Sequence, residues 1–276
     1  MVALSSDAPA LSLIIPVYNA ADQLPATLTA VDAFATRYPG TVEVLFVDDH
    51  STEVETQLIL EDFTRQRVYA RCLRNAHNRG KGFSVTRGML AARGRIRVFT
   101  DVDLAYPLEE VHKIVRELES GSDVAIACRV LKESRYLMSR AFNKVVQMFL
   151  LPGILDTQAG LKGFTAEAAQ LCFSRTTIPG FGFDIECLYV AQQHGLSIKQ
   201  TAVNFRYDDE PTTVRFARDS QRMFADIWQV RMNAWRGQYS TANMRFVFPA
   251  EDQWPTGIHT PPHGLPLSSR ELVSTG

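Results

Sequence analysis

The residues best suited to chemistry are two carboxylates one position apart, Asp101 and Asp103, between Arg97-Val98-Phe99-Thr100 and Leu104-Ala105-Tyr106-Pro107. The apolar run from Ile96 to Phe99 reads as a buried strand, so the pair stands where a strand stops. In an open α/β sheet, ligands bind at the carboxyl ends of the strands. Two hard oxygen donors suit Mg²⁺ or Mn²⁺, which take one or two protein carboxylates and fill their remaining positions with water and substrate phosphates. The pair therefore points to a divalent ion holding a diphosphate. A lone D-x-D also occurs in solvated turns and helix caps, so its meaning depends on the elements around it.

Those elements alternate. Leu11 to Val17 is an apolar strand running into Tyr18-Asn19, and a helix from about Gln23 to Arg37 is stopped by Tyr38-Pro39-Gly40. A second strand, Val42 to Val47, ends in Asp48-Asp49-His50-Ser51-Thr52, and a helix from about Glu53 to Arg67 leads to a third strand, Tyr69 to Leu73. The loop Asn78-Arg79-Gly80-Lys81-Gly82 opens a helix that ends near Arg93-Gly94. The strand before Asp101 is fourth, a helix runs from about Leu108 to Glu119, and Asp123 to Cys128 is fifth. This alternation predicts an α/β fold with a mostly parallel central sheet covered by helices on both faces. Each strand ends in polar or small residues, which places a site along one edge of the sheet.

After Arg129 the alternation stops. Arg135, Arg140 and Lys144 lie in a helix-like segment ahead of the apolar run Val145 to Leu155, which either packs in the core or dips into a membrane surface. Asp156-Thr157-Gln158-Ala159-Gly160-Leu161-Lys162-Gly163-Phe164 leads into a helix starting near Thr165, and Phe181-Gly182-Phe183-Asp184-Ile185-Glu186 opens another. Ser197 to Tyr207 reads as an added strand. Thr213 to Trp235 reads as a long helix with Arg215, Arg218 and Arg222 on one face. The expected division is an extension at 1–10, one domain at 11–237 and a partly disordered tail at 238–276.

Composition sets the bounds. With 29 Lys plus Arg against 30 Asp plus Glu in 276 residues, nothing in the global charge calls for nucleic acid. Cys72, Cys128, Cys172 and Cys187 are scattered, with no C-x-x-C, and read as buried fillers in a reducing compartment. Neither a signal peptide nor a roughly 20-residue apolar span is evident, so a cytoplasmic protein, or one peripheral on the cytoplasmic face of a membrane, is expected.

Taken in order, Pro16-Val17-Tyr18-Asn19, Val47-Asp48-Asp49-His50-Ser51, Asn78-Arg79-Gly80-Lys81-Gly82, Asp101-Val102-Asp103, Asp156 to Lys162 and Phe183 to Glu186 resemble the blocks of family 2 inverting glycosyltransferases. Within that family they resemble the dolichyl-phosphate and polyprenyl-phosphate sugar synthases, above all the glucosyl branch. The resemblance covers about residues 11 to 237. It implies a GT-A fold, a nucleoside-diphosphate sugar donor such as UDP-glucose, and a polyprenyl phosphate acceptor. It further implies that Pro16, Tyr18, Asn19 and Asp49 hold base and ribose, and that Asp101 and Asp103 hold the metal and the sugar-diphosphate.

A phosphate acceptor is already ionised at neutral pH and needs cationic guides more than a base. Arg129, Arg135, Arg140 and Arg215 are candidates, since guanidinium forks match phosphate. Asp156 is the candidate carboxylate nearest the reacting centre, as base or as orienter of an arginine or lysine, beside Asp103 and Arg129. Bland readings stand beside these. Asp156 is also placed to cap the segment before Thr165, and Asp184 and Glu186 to complement a helix start. Lys81 contacts phosphate or is simply solvated, Lys162 pairs with an acidic neighbour, and His50 and His77 are expected to have no catalytic role.

The chain departs from the family pattern at Ala20, where relatives often have Glu, at Ala105, where mannosyl relatives carry Gln, and at Thr212-Thr213, which replaces Ser-Lys. Two alternatives follow. One is the same fold acting on a soluble acceptor such as a sugar hydroxyl or phosphoglycerate, and the other is a non-catalytic nucleotide-sugar-binding protein.

Overall fold

A computed structural model describes residues 8–129, 144, 146–206 and 216–240, with side chains only from 225 onward in the last segment. The strands are β1 (Leu11–Val17), β2 (Val42–Asp48), β3 (Ala70–Arg74), β4 (Ile96–Phe99), β5 (Val124–Arg129), β6 (Lys162–Thr165) and β7 (Ile198–Val203). The helices are α1 (Leu24–Arg37), α2 (Val54–Gln66), α3 (Lys81–Ala91), α4 (Val111–Glu119), α5 (Ala166–Phe173), α6 (Phe183–Gln193) and α7 (Phe216–Trp235). The strands form one sheet in the order β3-β2-β1-β4-β6-β5-β7, parallel throughout except for β6, which runs against both of its neighbours.

Strand periodicity sorts the core onto two faces. Ile14, Leu45, Val47 and Phe99 join one cluster, which α3, α5, α6 and α7 complete with Val85, Met89, Phe173, Phe183 and Val230. Their neighbours Leu13, Ile15, Phe46 and Val98 point the other way, under Leu28 and Val31 of α1, Leu60 of α2 and Ile114 of α4. Helices thus cover both faces of a mostly parallel sheet, as the alternation predicts.

Two readings need correction. Lys162 to Thr165, taken as the approach to a helix, is strand β6, and α5 starts only after it, capped by Thr165, whose hydroxyl accepts from Ala168 N–H at 3.2 Å. Four residues beginning with lysine carry no strand signal, and the segment is ordered by its pairing with β4 and β5. The cysteines are all unpaired, but only Cys172 and Cys187 are fully buried, while Cys72 and Cys128 are partly open.

Because β6 is antiparallel, it enters the sheet at the edge where the parallel strands leave. That brings Asp156 to Leu161 to the same rim as Tyr18, Asp49, Asn75, Asp101 and Arg129. The opposite rim is closed by a buried carboxylate, Glu43. It accepts from the Ser12 hydroxyl at 2.5 Å, from Arg71 at 2.9 Å and from Arg93 at 2.9 Å.

Candidate active site

β4 stops at Phe99, and the chain turns through Asp101 to Leu104, which takes a positive φ of 48°. Asp103 accepts the Ala105 N–H at 3.0 Å and faces solvent. Asp101 is partly buried and paired with Lys81 at 2.5 Å. Gly160 lies against it so closely that a β-carbon there would overlap the Asp101 carboxylate. The last glycine of Asp156-Thr157-Gln158-Ala159-Gly160 is therefore what lets this block touch the acid pair.

Lys81 is the first residue of α3, set by Gly80 at φ 96° and by Gly82, where a β-carbon would strike the carbonyls of Ile178 and Gly180. Burial pulls the Lys81 pKa down, but Asp101, Asp184 and Asp103 outweigh it and hold the ammonium above its usual value. Behind it Asp184 pairs with Lys162 at 2.5 Å, and Lys162, fully buried, also donates to Ala159 O. Burial raises the Asp184 pKa against the pull of Lys162 and Lys81. Lys162 is thus an internal partner of Asp184. Glu186 accepts from Thr177 N–H and Ile178 N–H at 2.7 and 2.8 Å and from the Tyr239 hydroxyl, fixing the loop that receives Gly82.

At the end of β5, Arg129 holds Asp156 in a fork of 2.7 and 2.9 Å, with the guanidinium over the Phe205 ring at 5.6 Å. Asp156 is 3% exposed and paired with Arg129, while the helix that follows is capped by Thr165. Tyr106, which sequence reasoning missed, packs on the same Phe205 ring at 4.9 Å. Burial raises its pKa; Arg129 opposes this, while Asp156 and Asp101 add to it. The Tyr-Pro after the acid pair was its only signal. Phe205, also missed, sits just past β7, where Arg206 N–H bonds Ala105 O at 2.8 Å.

Nearer β2, Asp49 is buried and accepts from Asn75 at 2.6 Å, Arg79 N–H at 2.9 Å and Gly80 N–H at 2.7 Å, so it shapes the loop that presents Lys81. Asn19, with φ 46°, accepts the N–H groups of Thr52 and Glu53 at 2.8 and 3.2 Å, tying the end of β1 to the start of α2. Pro16 lies in β1 opposite Val47, and Tyr18 stands exposed at the rim. A cavity of about 310 Å³ adjoins this turn, lined by Asn19, Ala21, Gln23 and Glu53. His50 Nδ1 lies 3.2 Å from Asn75 O, a local contact. Arg135, Arg140, Arg215 and Thr212-Thr213 lie outside the described residues.

The donor set fits a divalent ion. Asp101 already holds a cation in Lys81, and the atoms it and Asp103 offer are carboxylate oxygens, hard donors of the kind these ions take. Two carboxylates with positions left for substrate oxygens is how Mg²⁺ and Mn²⁺ are usually held.

The order and direction of these strands, with helices on both faces, match the GT-A fold. The chain belongs to glycosyl transferase family 2, whose profile matches residues 12–151. A dolichyl-phosphate beta-glucosyltransferase of Dictyostelium discoideum is 30% identical over 252 residues, 80% of this chain and 77% of that protein. The Homo sapiens protein of the same name is 31% identical over 82% of this chain and 77% of its own length. In fold, the chain matches glucosyl-3-phosphoglycerate synthase from Mycobacterium tuberculosis, solved with Mn²⁺, UDP-glucose and phosphoglyceric acid. The TM-score is 0.62 at 19% identity, covering 80% of this chain and 79% of that one.

Proposed function

We propose that this glycosyltransferase moves glucose from UDP-glucose to a dolichyl-type polyprenyl phosphate with inversion at the anomeric carbon. The observation that carries the reading is the meeting at one rim of a cation-holding acid pair, Asp101 and Asp103, with an arginine, Arg129, held in a carboxylate fork. The first matches a nucleoside diphosphate on a divalent ion, and the second matches an ionised phosphate acceptor. The names of the relatives that cover most of the chain supply the sugar and the lipid.

Asp101 and Asp103 would hold Mg²⁺ or Mn²⁺, which when bound offsets the negative charge growing on the departing diphosphate. Lys81 adds a second positive charge beside those oxygens. Tyr18 and the Asn19 turn border the space for base and ribose, with Asp49 fixing the adjoining loop. Arg129, held by Asp156 and laid over Phe205, steers the acceptor phosphate; Arg135, Arg140 and Arg215 remain candidates for the same task. An acceptor oxygen forms the new bond to the anomeric carbon from the side opposite the diphosphate. The old carbon–oxygen bond breaks with its electron pair leaving on UDP, and no enzyme-bound intermediate arises. The acceptor arrives deprotonated, so Asp156 is needed as an orienter and not as a proton acceptor.

The lipid acceptor implies contact with a membrane surface. The run 146–155 divides, with Val146, Leu150, Leu151 and Ile154 buried and Met148, Phe149 and Leu155 exposed at 70, 58 and 59%. We assign the exposed three to that contact. Among the described residues no helix is long and apolar enough to cross a membrane. The test is glucose transfer by purified protein to a short polyprenyl phosphate with Mg²⁺ or Mn²⁺, with 3-phosphoglycerate as a parallel acceptor. Lipid-linked glucose is expected; transfer to phosphoglycerate alone would overturn the assignment.

A further inference from the structure

Lys81 and Asp101 are paired at 2.5 Å, and the same Asp101 is the acid best placed to take a divalent ion. Both cations want one small carboxylate. Asp101 has little freedom to serve them at once, because Gly160 is packed against one of its oxygens while the ammonium holds the other. The lysine backbone is equally fixed. Gly80 and Gly82 are wedged against the carbonyls of Pro179, Ile178 and Gly180, and Phe83 N–H donates to Pro179 O at 3.1 Å. Only the side chain of Lys81 is left to move. Its way out is toward the solvent edge, past the exposed Phe181 ring 5.9 Å from Nζ.

We propose that Lys81 occupies the metal's place on Asp101 in the ligand-free protein and yields it only when a divalent ion arrives together with a diphosphate onto which the ammonium can shift. The inference rests on the metal-dependent reading above and extends it to the order of loading. A bare ion must displace the ammonium and then sits beside a cation with no compensating anion. An ion bringing a diphosphate supplies two more negative groups, and the lysine exchanges one anionic partner for another. The site therefore takes metal and nucleotide together, with a positive coupling that is reciprocal by linkage. Asp101 is also kept paired between turnovers, which limits its occupation by stray cations.

The test is Mn²⁺ binding to the full chain, read by the loss of the free-ion EPR signal, with and without UDP and without any acceptor. Wild type is expected to bind Mn²⁺ alone weakly, with UDP tightening it about tenfold or more. Lys81→Met and Lys81→Gln, carried side by side in case one fails to fold, are expected to bind Mn²⁺ alone about tenfold more tightly than wild type and to gain much less from UDP. Lys81→Arg, which keeps the charge, is expected to stay close to wild type. Neutral variants that bind free Mn²⁺ no more tightly than wild type, while still binding it with UDP, would overturn the lysine's role and leave the metal-dependent reading standing. Absence of Mn²⁺ binding in every variant, even with UDP, would overturn both.

Discussion

At the scale of the residue, the proposed chemistry rests on a few charges whose partners the fold supplies. Asp101→Asn keeps the size of the side chain but removes a full negative charge from the metal position, so glucosyl transfer is expected to fall by roughly 100-fold or more. UDP-dependent Mn²⁺ binding should be lost in step, and full activity with that loss would contradict the role. Arg129→Lys retains charge but cannot hold Asp156 in a two-point fork or lie flat on Phe205. The expected outcome is a KM for lipid phosphate raised about tenfold, with the KM for UDP-glucose little changed. Of the candidates, Asp101, Asp103 and Arg129 were legible in the sequence because carboxylates and an arginine stood where strands end, and Asp156 because it heads a block that resembles the family's. Tyr106 and Phe205 were not, since an aromatic residue beside a site looks like any core residue until its ring is seen against the arginine. Asp49 was legible as a candidate site residue, but its hydrogen bonds from Asn75, Arg79 and Gly80 were not.

Among elements, the informative one is β6. Strands β1 to β5 announced themselves as apolar runs bounded by turns, whereas β6 is four residues headed by a lysine whose charge is answered by Asp184, a distant residue on α6. No local pattern encodes that pairing. Lys162→Met strands Asp184 in the core and is expected to cost about 3–5 kcal/mol in urea unfolding, whereas Lys162→Met with Asp184→Leu should recover most of the loss. Equal destabilisation in the single and double variants would show that the pair is not the source. Glu43 serves β1 and β2 in a similar way at the opposite rim. Burial favours its neutral form, but Arg71, Arg93 and Ser12 prevail and hold its pKa below the ordinary 4.5. A depressed carboxylate pKa stabilises the fold above the unfolded value and loses that contribution as pH falls through the folded value. Glu43→Gln should therefore be less stable than wild type near neutrality, and the difference should shrink below about pH 4.5. Urea midpoints followed from neutral to acidic pH check this, and a gap that widens on acidification would contradict it.

For the whole molecule, the helix-covered sheet and the family blocks were readable in order, because each parallel strand delivers its end to one rim. What could not be read was the way the second half of the chain closes that rim through an antiparallel strand, with Gly160 against Asp101 and Gly82 against the carbonyls of 178 and 180. The exposed Met148, Phe149 and Leu155 belong to this scale too. Met148→Ser with Phe149→Ser is expected to weaken sedimentation with phosphatidylglycerol vesicles several-fold while leaving Mn²⁺–UDP binding intact. Unchanged sedimentation would remove this patch from the membrane contact. The most direct measurement is incorporation of labelled glucose from UDP-glucose into polyprenyl phosphate by the purified chain, with Mn²⁺, with chelator, and with Asp103→Ala. Lipid-linked β-glucose that forms with Mn²⁺ and disappears with chelator or the variant is the predicted result. Undiminished transfer in chelator, or none to lipid phosphate under any divalent ion, would contradict it.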